Sequence, residues 1–325
     1  IMTSHATTST EPAGFRWQST LPAAAALALT GIGLLSSDYI VTVLGFAFIY
    51  AIFCIGLNFF MGYTGQASFG QNAFAAIGGY GTAIFCVNYG WEPVPAMLVT
   101  MVVSGVAALV IGYPTLRLRG HYLAMATFAL GLITYDTSVQ WTSLTQGYMG
   151  YSGIPPLGIG RFTVESERMK LVTLIVLVLF GLWVSRRLRN SRFGRALRAI
   201  AASENGAAAL GIRVRRYKLA AFVIAALYAS ASGSLFANIV GFISPEVFGL
   251  QMVVVTFTML YLGGIGTVVG PAVGAVIVQL LPELVRGVGR FQETAYAVVL
   301  LLMLVFLPKG IFTLDRLRWP AKAEG

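Results

Sequence analysis

The chain has 325 residues, of which 57% are hydrophobic and only 10% charged, with a formal net charge of +10. A soluble domain carries about 25% charged residues. With a mean hydropathy of +0.78, the chain has more apolar surface than a water-facing fold of this length can hide, so lipid must be the solvent for most of it.

In chain order, residues 1–20 (IMTSHATTSTEPAGFRWQST) are polar and rich in Ser and Thr. They lack an apolar core ahead of a small-residue cleavage site, and we read them as a disordered cytoplasmic tail rather than a signal peptide. A bilayer-spanning helix needs about 20 mostly apolar residues. Ten segments qualify: 21–36, 39–60, 69–89, 93–114, 121–140, 169–186, 217–240, 248–265, 268–285 and 294–308. The first is short, and glycines interrupt the third, eighth and ninth, so the expected fold is an all-α polytopic transmembrane bundle of about 8–10 spans. It occupies residues 21–310 and leaves a cytoplasmic tail at 311–325. Cys54 and Cys86 fall within apolar runs and read as packed thiols, not as a disulfide framework.

Basic residues set the orientation. With the N-terminus cytoplasmic and ten spans, 17 of the 22 Lys and Arg residues fall inside, ten of them between Arg186 and Lys218. The opposite topology would export that cluster, against the known bias of short loops. Both termini are therefore expected in the cytoplasm, and the positive charge is explained without nucleic acid. The longest external segment, 141–168, contains Pro155, Pro156 and several glycines and cannot span. It reads either as a docking surface for an extracellular partner or as a plain connector.

The cytoplasmic segment 186–216 is rich in Arg, Ala and Leu, which favours helix over flexible linker. Phe193, Leu197 and Ile200 share one helical face, with Arg192, Arg195 and Arg198 on a neighbouring one. Gly206 is expected to separate two short helices, with Ser203 or Asn205 capping the second and Gly211 ending it. Such an insert suits a groove on another protein; the competing reading is an interfacial helix on anionic lipid.

Two glycine-rich runs depart from ordinary spans: GLNFFMGYTGQASFGQNAFAAIGGYG at 56–81 and YLGGIGTVVGPAVGAVI at 261–277. Gly78, Gly79 and Gly274 read first as close helix packing. Buried amides are costly in hydrocarbon unless they pair or face a watery space. Asn58, Gly65, Gln66, Ser68, Gln71 and Asn72 are therefore candidates for lining a translocation path, where a broken helix would offer backbone N–H groups to a carboxylate. The spans carry no series of Asp, Glu or His able to relay protons and no arginine ladder. Neither a GxxxxGK[ST] phosphate loop nor an HExxH or CxxC pair occurs, so there is no catalytic or metal-ligating residue to name. Energy for uphill transport must come from elsewhere.

The run GLNFFMGYTGQASFGQNAFAAIGGY, the stretch SRFGRALRAIAASENGAAALGIRVRRYKLAAFVIAALYASASGSLFA and the later GGIGTVVGPAVGA together resemble LivM-type permeases of branched-chain amino acid ABC importers, over roughly residues 40–310. The resemblance implies a non-enzymatic subunit of the bacterial inner membrane that pairs with a LivH-like permease. It further implies two cytoplasmic ATPases, which hold the ATP and Mg, and a periplasmic protein that delivers the amino acid; no cofactor belongs to this subunit. On this resemblance Glu204, Ala207, Ala208 and Gly211 are the docking core for the ATPases, flanked by Arg195 and Arg198. Where relatives more often have a second charged residue and a longer helix, this chain has Glu-Asn-Gly-Ala-Ala-Ala, and Gly206 is expected to soften the coupling helix. Urea and amide importers use similar permeases, and a stand-alone facilitative channel or carrier is the alternative from another class.

Overall fold

A computed structural model describes residues 38–160, 162–284, 292–306 and 310–311. The tail at 1–20, the first candidate span at 21–36 and all of 311–325 beyond Ile311 lie outside the described residues. Among the described residues there are twelve α-helices. The other nine candidate spans all fall on helices: α1 (Asp38–Thr64), α2 (Gln71–Tyr89), α3 (Pro93–Thr115), α4 (His121–Gln140), α6 (Glu167–Asn190), α9 (Val214–Val240), α10 (Leu250–Gly263), α11 (Gly270–Leu284) and α12 (Gln292–Phe306). Four of them, α1, α3, α6 and α9, are long and apolar enough to cross a membrane by length and composition. The helices α2 and α4 have the length, 19 and 20 residues, but are diluted by glycine, threonine and amide side chains.

The helix α1 is apolar all round, as a helix at the centre of a bundle must be. It packs against α9, α11 and α6, while α2 and α3 stack on the other side of α9. The α2–α9 contact rests on small residues. A side chain at Gly78 would collide with the Ser230 carbonyl, and one at Gly233 with the Ala75 carbonyl. Ser234 Oγ donates to the Gly78 carbonyl at 3.0 Å across the same contact. Between α10 and α11, Gly274 stands against the Met259 carbonyl in the same way. Close packing is thus what Gly78, Gly79 and Gly274 serve, as small-residue spacing in membrane helices predicts. By contrast, α3 and α6 turn Val102, Val106, Val110, Val176, Phe180 and Trp183 outward, where only lipid or another chain could cover them.

The described residues of segment 141–168 fold into short elements. The segment contains α5 (Thr142–Thr145), a 3₁₀ turn (Gly147–Met149) and three short strands, β1 (Tyr151–Ser152), β2 (Gly158–Ile159) and β3 (Phe162–Thr163). β2 and β3 form a hairpin, and β1 pairs with β4 (Phe242–Ile243) just past the end of α9. Tyr151 is buried there, its hydroxyl donating to the Leu144 carbonyl at 2.8 Å.

The basic insert is shorter than 186–216. α6 continues to Asn190 and α9 begins at Val214, so the insert proper is 191–213. Long charged stems prolong both helices past the apolar region because Arg can lie along the helix while its head stays solvated. Within the insert, α7 (Arg192–Ala202) and α8 (Glu204–Ala209) are separated at Ser203, not at Gly206. Ser203 leaves helical geometry, and its Oγ accepts from the Gly206 N–H at 3.1 Å, so Gly206 is the third residue of α8. A side-chain cap decides the boundary here more strongly than glycine's weak propensity. Gly211, at φ 79°, ends α8: its N–H reaches the Ala208 carbonyl and the Ile212 N–H the Ala207 carbonyl, a Schellman closure.

Candidate functional site: a trough beside a broken helix

Six residues, 65–70, separate α1 from α2 without helical structure. Gly65 adopts φ 68°, which a residue with a side chain rarely can, and lies 3.6 Å (to a Cβ position) from the Ala201 Cα of α7. Phe69 N–H donates to Thr127 Oγ1 of α4 at 3.1 Å, and Gly70 lies so close to the Thr127 carbonyl that no side chain fits. The break is therefore wedged between the insert below it and α4 beside it.

Along that side runs a trough between α4 and α10. One lobe, of about 380 Å³, is bordered by Asn72, Gly131, Tyr135, Glu246 and Gln251. The other, of about 500 Å³ and almost wholly apolar, is bordered by His121, Met125, Val254, Phe257 and Thr258. The lobes share Phe69, Phe128, Leu250 and Val253, so they lie side by side along one face. From His121 to Tyr135 is roughly 21 Å of helix at 1.5 Å per residue, most of the roughly 30 Å of a bilayer core. A 3₁₀ turn (Pro245–Phe248) closes the Glu246 end between α2 and α4. Met125, Leu132, Leu250 and Val254 are all more than two-fifths exposed, so the trough opens outward.

The candidate path residues divide. Asn72 borders the trough, donating through Nδ2 to the Phe248 carbonyl at 2.8 Å. Ser68 and Gln71 lie just behind Phe69, at 2% exposure each. Asn58 does not border the trough: it is buried in the bundle, where Oδ1 accepts from the Gly266 N–H at 2.8 Å and Nδ2 donates to the Thr267 carbonyl at 2.7 Å. An amide engaged at both ends by one loop is a clamp on 264–269. Gln66 turns to the insert, its Nε2 donating to Glu204 Oε1 at 3.0 Å. Gly65 faces α7 and not the trough.

The insert residues divide as well. Glu204 forms an ion pair with Lys218, a lysine only 3% exposed at the start of α9. Ala207 is buried against the bundle and is corrected: it has no surface to offer a partner. The outward face consists of Ala208, Leu210 and Gly211, with Leu210 80% exposed, and of Arg195 and Arg198 on α7. Leu197 and Ile200 point inward, and Phe193 stacks on Tyr217 at 5.7 Å. Arg215 lies over the Tyr113 ring at 4.0 Å and donates to the Tyr113 carbonyl, tying the insert's far end to α3.

Sequence reading missed α4 as a wall of the trough. His121, Met125, Phe128, Leu132 and Tyr135 follow helical spacing and were legible as one face, but an apolar face toward a path and one toward lipid have the same composition. Phe69 and Glu246 carried no signal. Among the described residues no three His, Cys, Asp or Glu side chains come together as metal ligands would.

A multi-pass helical bundle with an open-sided trough and a capped helical insert defines a membrane permease subunit. The chain belongs to the branched-chain amino acid transport system permease component family, whose model matches residues 39–307. It is 32% identical to the high-affinity branched-chain amino acid transport system permease protein LivM of Salmonella typhimurium over 294 residues, covering 82% of this chain and 68% of that one. It is 31% identical to LivM of Escherichia coli over the same shares. To the LivH permease of Escherichia coli it is 28% identical, over 81% of this chain and 90% of that one. No solved structure matches the chain significantly.

Proposed function

We propose that this chain is one of two membrane-spanning subunits of an ATP-driven importer of branched-chain amino acids, and that the α4–α10 trough is its half of the path. The observation carrying this reading is the trough itself, two adjoining lobes on an open face of a chain from this permease family. A LivH-like second subunit would close it. Its walls, Phe128, Leu132 and Val253, suit an aliphatic side chain, while Tyr135, Glu246 and Gln251 supply polar contacts at one end.

Two ATPases would dock on the outward face of the insert, and they would hold the ATP and Mg; this subunit contributes no cofactor. A periplasmic protein would deliver the solute at the Glu246 end, where the 141–168 segment exposes Trp141, Tyr148 and Met149. On this reading the chain would lie in a bacterial inner membrane with both termini in the cytoplasm, and Arg192, Arg195 and Arg198 would face anionic headgroups or the ATPase rim. Reconstitution with the second permease, the ATPases and the delivering protein is expected to give ATP-dependent uptake of leucine, isoleucine and valine, abolished by Leu132→Trp in the trough. Uptake by this chain alone, without ATP, would instead make it a channel or carrier.

A further inference from the structure

Beside the trough, four buried polar atoms have no hydrogen-bond partner among the described residues: Ser68 Oγ, both side-chain polar atoms of Gln71, and Asn72 Oδ1. Their residues are 2%, 2% and 3% exposed. Buried amides are rarely left so, because each unmade bond costs free energy, and such groups ask for a reason. They converge at the start of α2 on a space bounded by Phe53, Leu57, Thr256 and Phe257. Its free volume is only about 10 Å³, about what one water occupies. Phe69, Asn72 and Val253 border both this space and the trough.

Phe69 sits on the same six-residue break whose other end holds Gln66. Gln66 is bonded to Glu204, the first residue of α8, and Glu204 to Lys218. A shift of the insert therefore acts on the break through one side-chain chain, while Gly65 supplies a backbone pivot against Ala201.

We propose that Ser68, Gln71 and Asn72 form an occluded site for the ammonium and carboxylate head of a zwitterionic solute, closed by Phe69 and opened when the insert draws on Gln66 through Glu204. This rests on the reading of the trough as an importer's path. Gln71 Oε1, Asn72 Oδ1 and Ser68 Oγ can accept from an ammonium group. Gln71 Nε2 and the first-turn N–H groups of α2 face a carboxylate. Neutral partners suit a transit site, since a fixed opposite charge would hold the solute too tightly to release it. The phenyl rings of Phe53 and Phe257 receive the aliphatic end.

The test uses the complete transporter in liposomes. Gln71→Met, close in shape, is expected to lower leucine uptake at least tenfold while ATP hydrolysis stimulated by the delivering protein stays within twofold. Phe69→Ala is expected to admit leucine without ATP. In a Cys54→Ala, Cys86→Ala background, the thiol introduced by Ser68→Cys should react with a small methanethiosulfonate at least tenfold faster during ATP turnover than without nucleotide. Gln66→Met should erase that difference while hydrolysis continues. If Gln71→Met transports within twofold of the unmodified complex, or the introduced thiol reacts equally with and without ATP, the polar groups are structural only. Unchanged uptake in Leu132→Trp would overturn the path reading and this site together, whereas blocked uptake in Leu132→Trp with normal uptake in Gln71→Met sinks the site alone.

Discussion

Two breaks of equal length interrupt this bundle, 65–70 between α1 and α2 and 264–269 between α10 and α11, and they differ in how their polar groups are satisfied. In the second, Asn58 engages Gly266 and Thr267, Thr267 Oγ1 donates to the Gly264 carbonyl at 2.7 Å and accepts from the Gly270 N–H at 3.1 Å. Gly62 has no room for a side chain beneath that loop, being pressed against Asn58 and Gly266. In the first, Ser68, Gln71 and Asn72 keep atoms unpaired among the described residues, beside an open trough. Each break carries two glycines and is met by an asparagine, Asn58 of α1 at the second and Asn72 of α2 beside the first, yet one is a rivet and the other a poised surface. Unmade bonds distinguish them.

Substitutions sharpen that contrast. Asn58→Leu strands the Gly266 N–H inside the bundle and leaves the Thr267 carbonyl only the long bond from the Tyr63 hydroxyl, and each unsatisfied group costs about 1–3 kcal/mol. We expect the largest effect there: a loss of about 3 kcal/mol, read as a marked drop in thermal midpoint and folded yield in detergent. Glu204→Ala should come next, losing about 2–3 kcal/mol, because it leaves the buried Lys218 ammonium without its carboxylate. Lys218→Met should cost less in the same melting experiment, since Glu204 is partly exposed and keeps Gln66. If Lys218→Met proved the more damaging, the pair would not be governed by the buried cation.

Gly211→Val forces a branched side chain into φ 79° and should cost about 1–2 kcal/mol locally. Bulk there, or at Ala208, is expected to uncouple ATP hydrolysis from uptake while the protein still inserts; coupled transport in both variants would count against docking on that face. The smallest stability change should fall on Gln71→Met. Replacing an amide that makes no bonds removes a buried polar group at little cost, so the melting midpoint should hold steady or rise while uptake falls. A loss as large as that of Asn58→Leu would erase the distinction between the two breaks.

The helices at the nine described candidate spans were legible because hydrocarbon demands apolar segments whose backbone is satisfied internally, and four of them have the length and composition to cross a membrane. The insert's two helices, the inward face of Leu197 and Ile200, and the stop at Gly211 were legible for a similar local reason: periodicity and capping act within a few residues. Its break at Ser203 was within reach too, since a serine whose hydroxyl can accept from an N–H three residues later is a cap signal. Glu204 was singled out as a partner contact, but its pairing with Lys218 and Gln66, the latter 138 residues away in sequence, had no local trace.

By itself, then, the sequence determined that this chain lives in lipid, that it breaks its helices at glycine-rich runs, and that a basic, small-residue insert interrupts it, because hydropathy, glycine and charge report the solvent each residue needs. Only the tertiary structure decided which buried amide is a clamp and which is left waiting, and that α4 and α10 stand apart to leave a trough. Those outcomes depend on which distant backbone groups arrive opposite each side chain, and identical residue types give opposite answers when their partners differ.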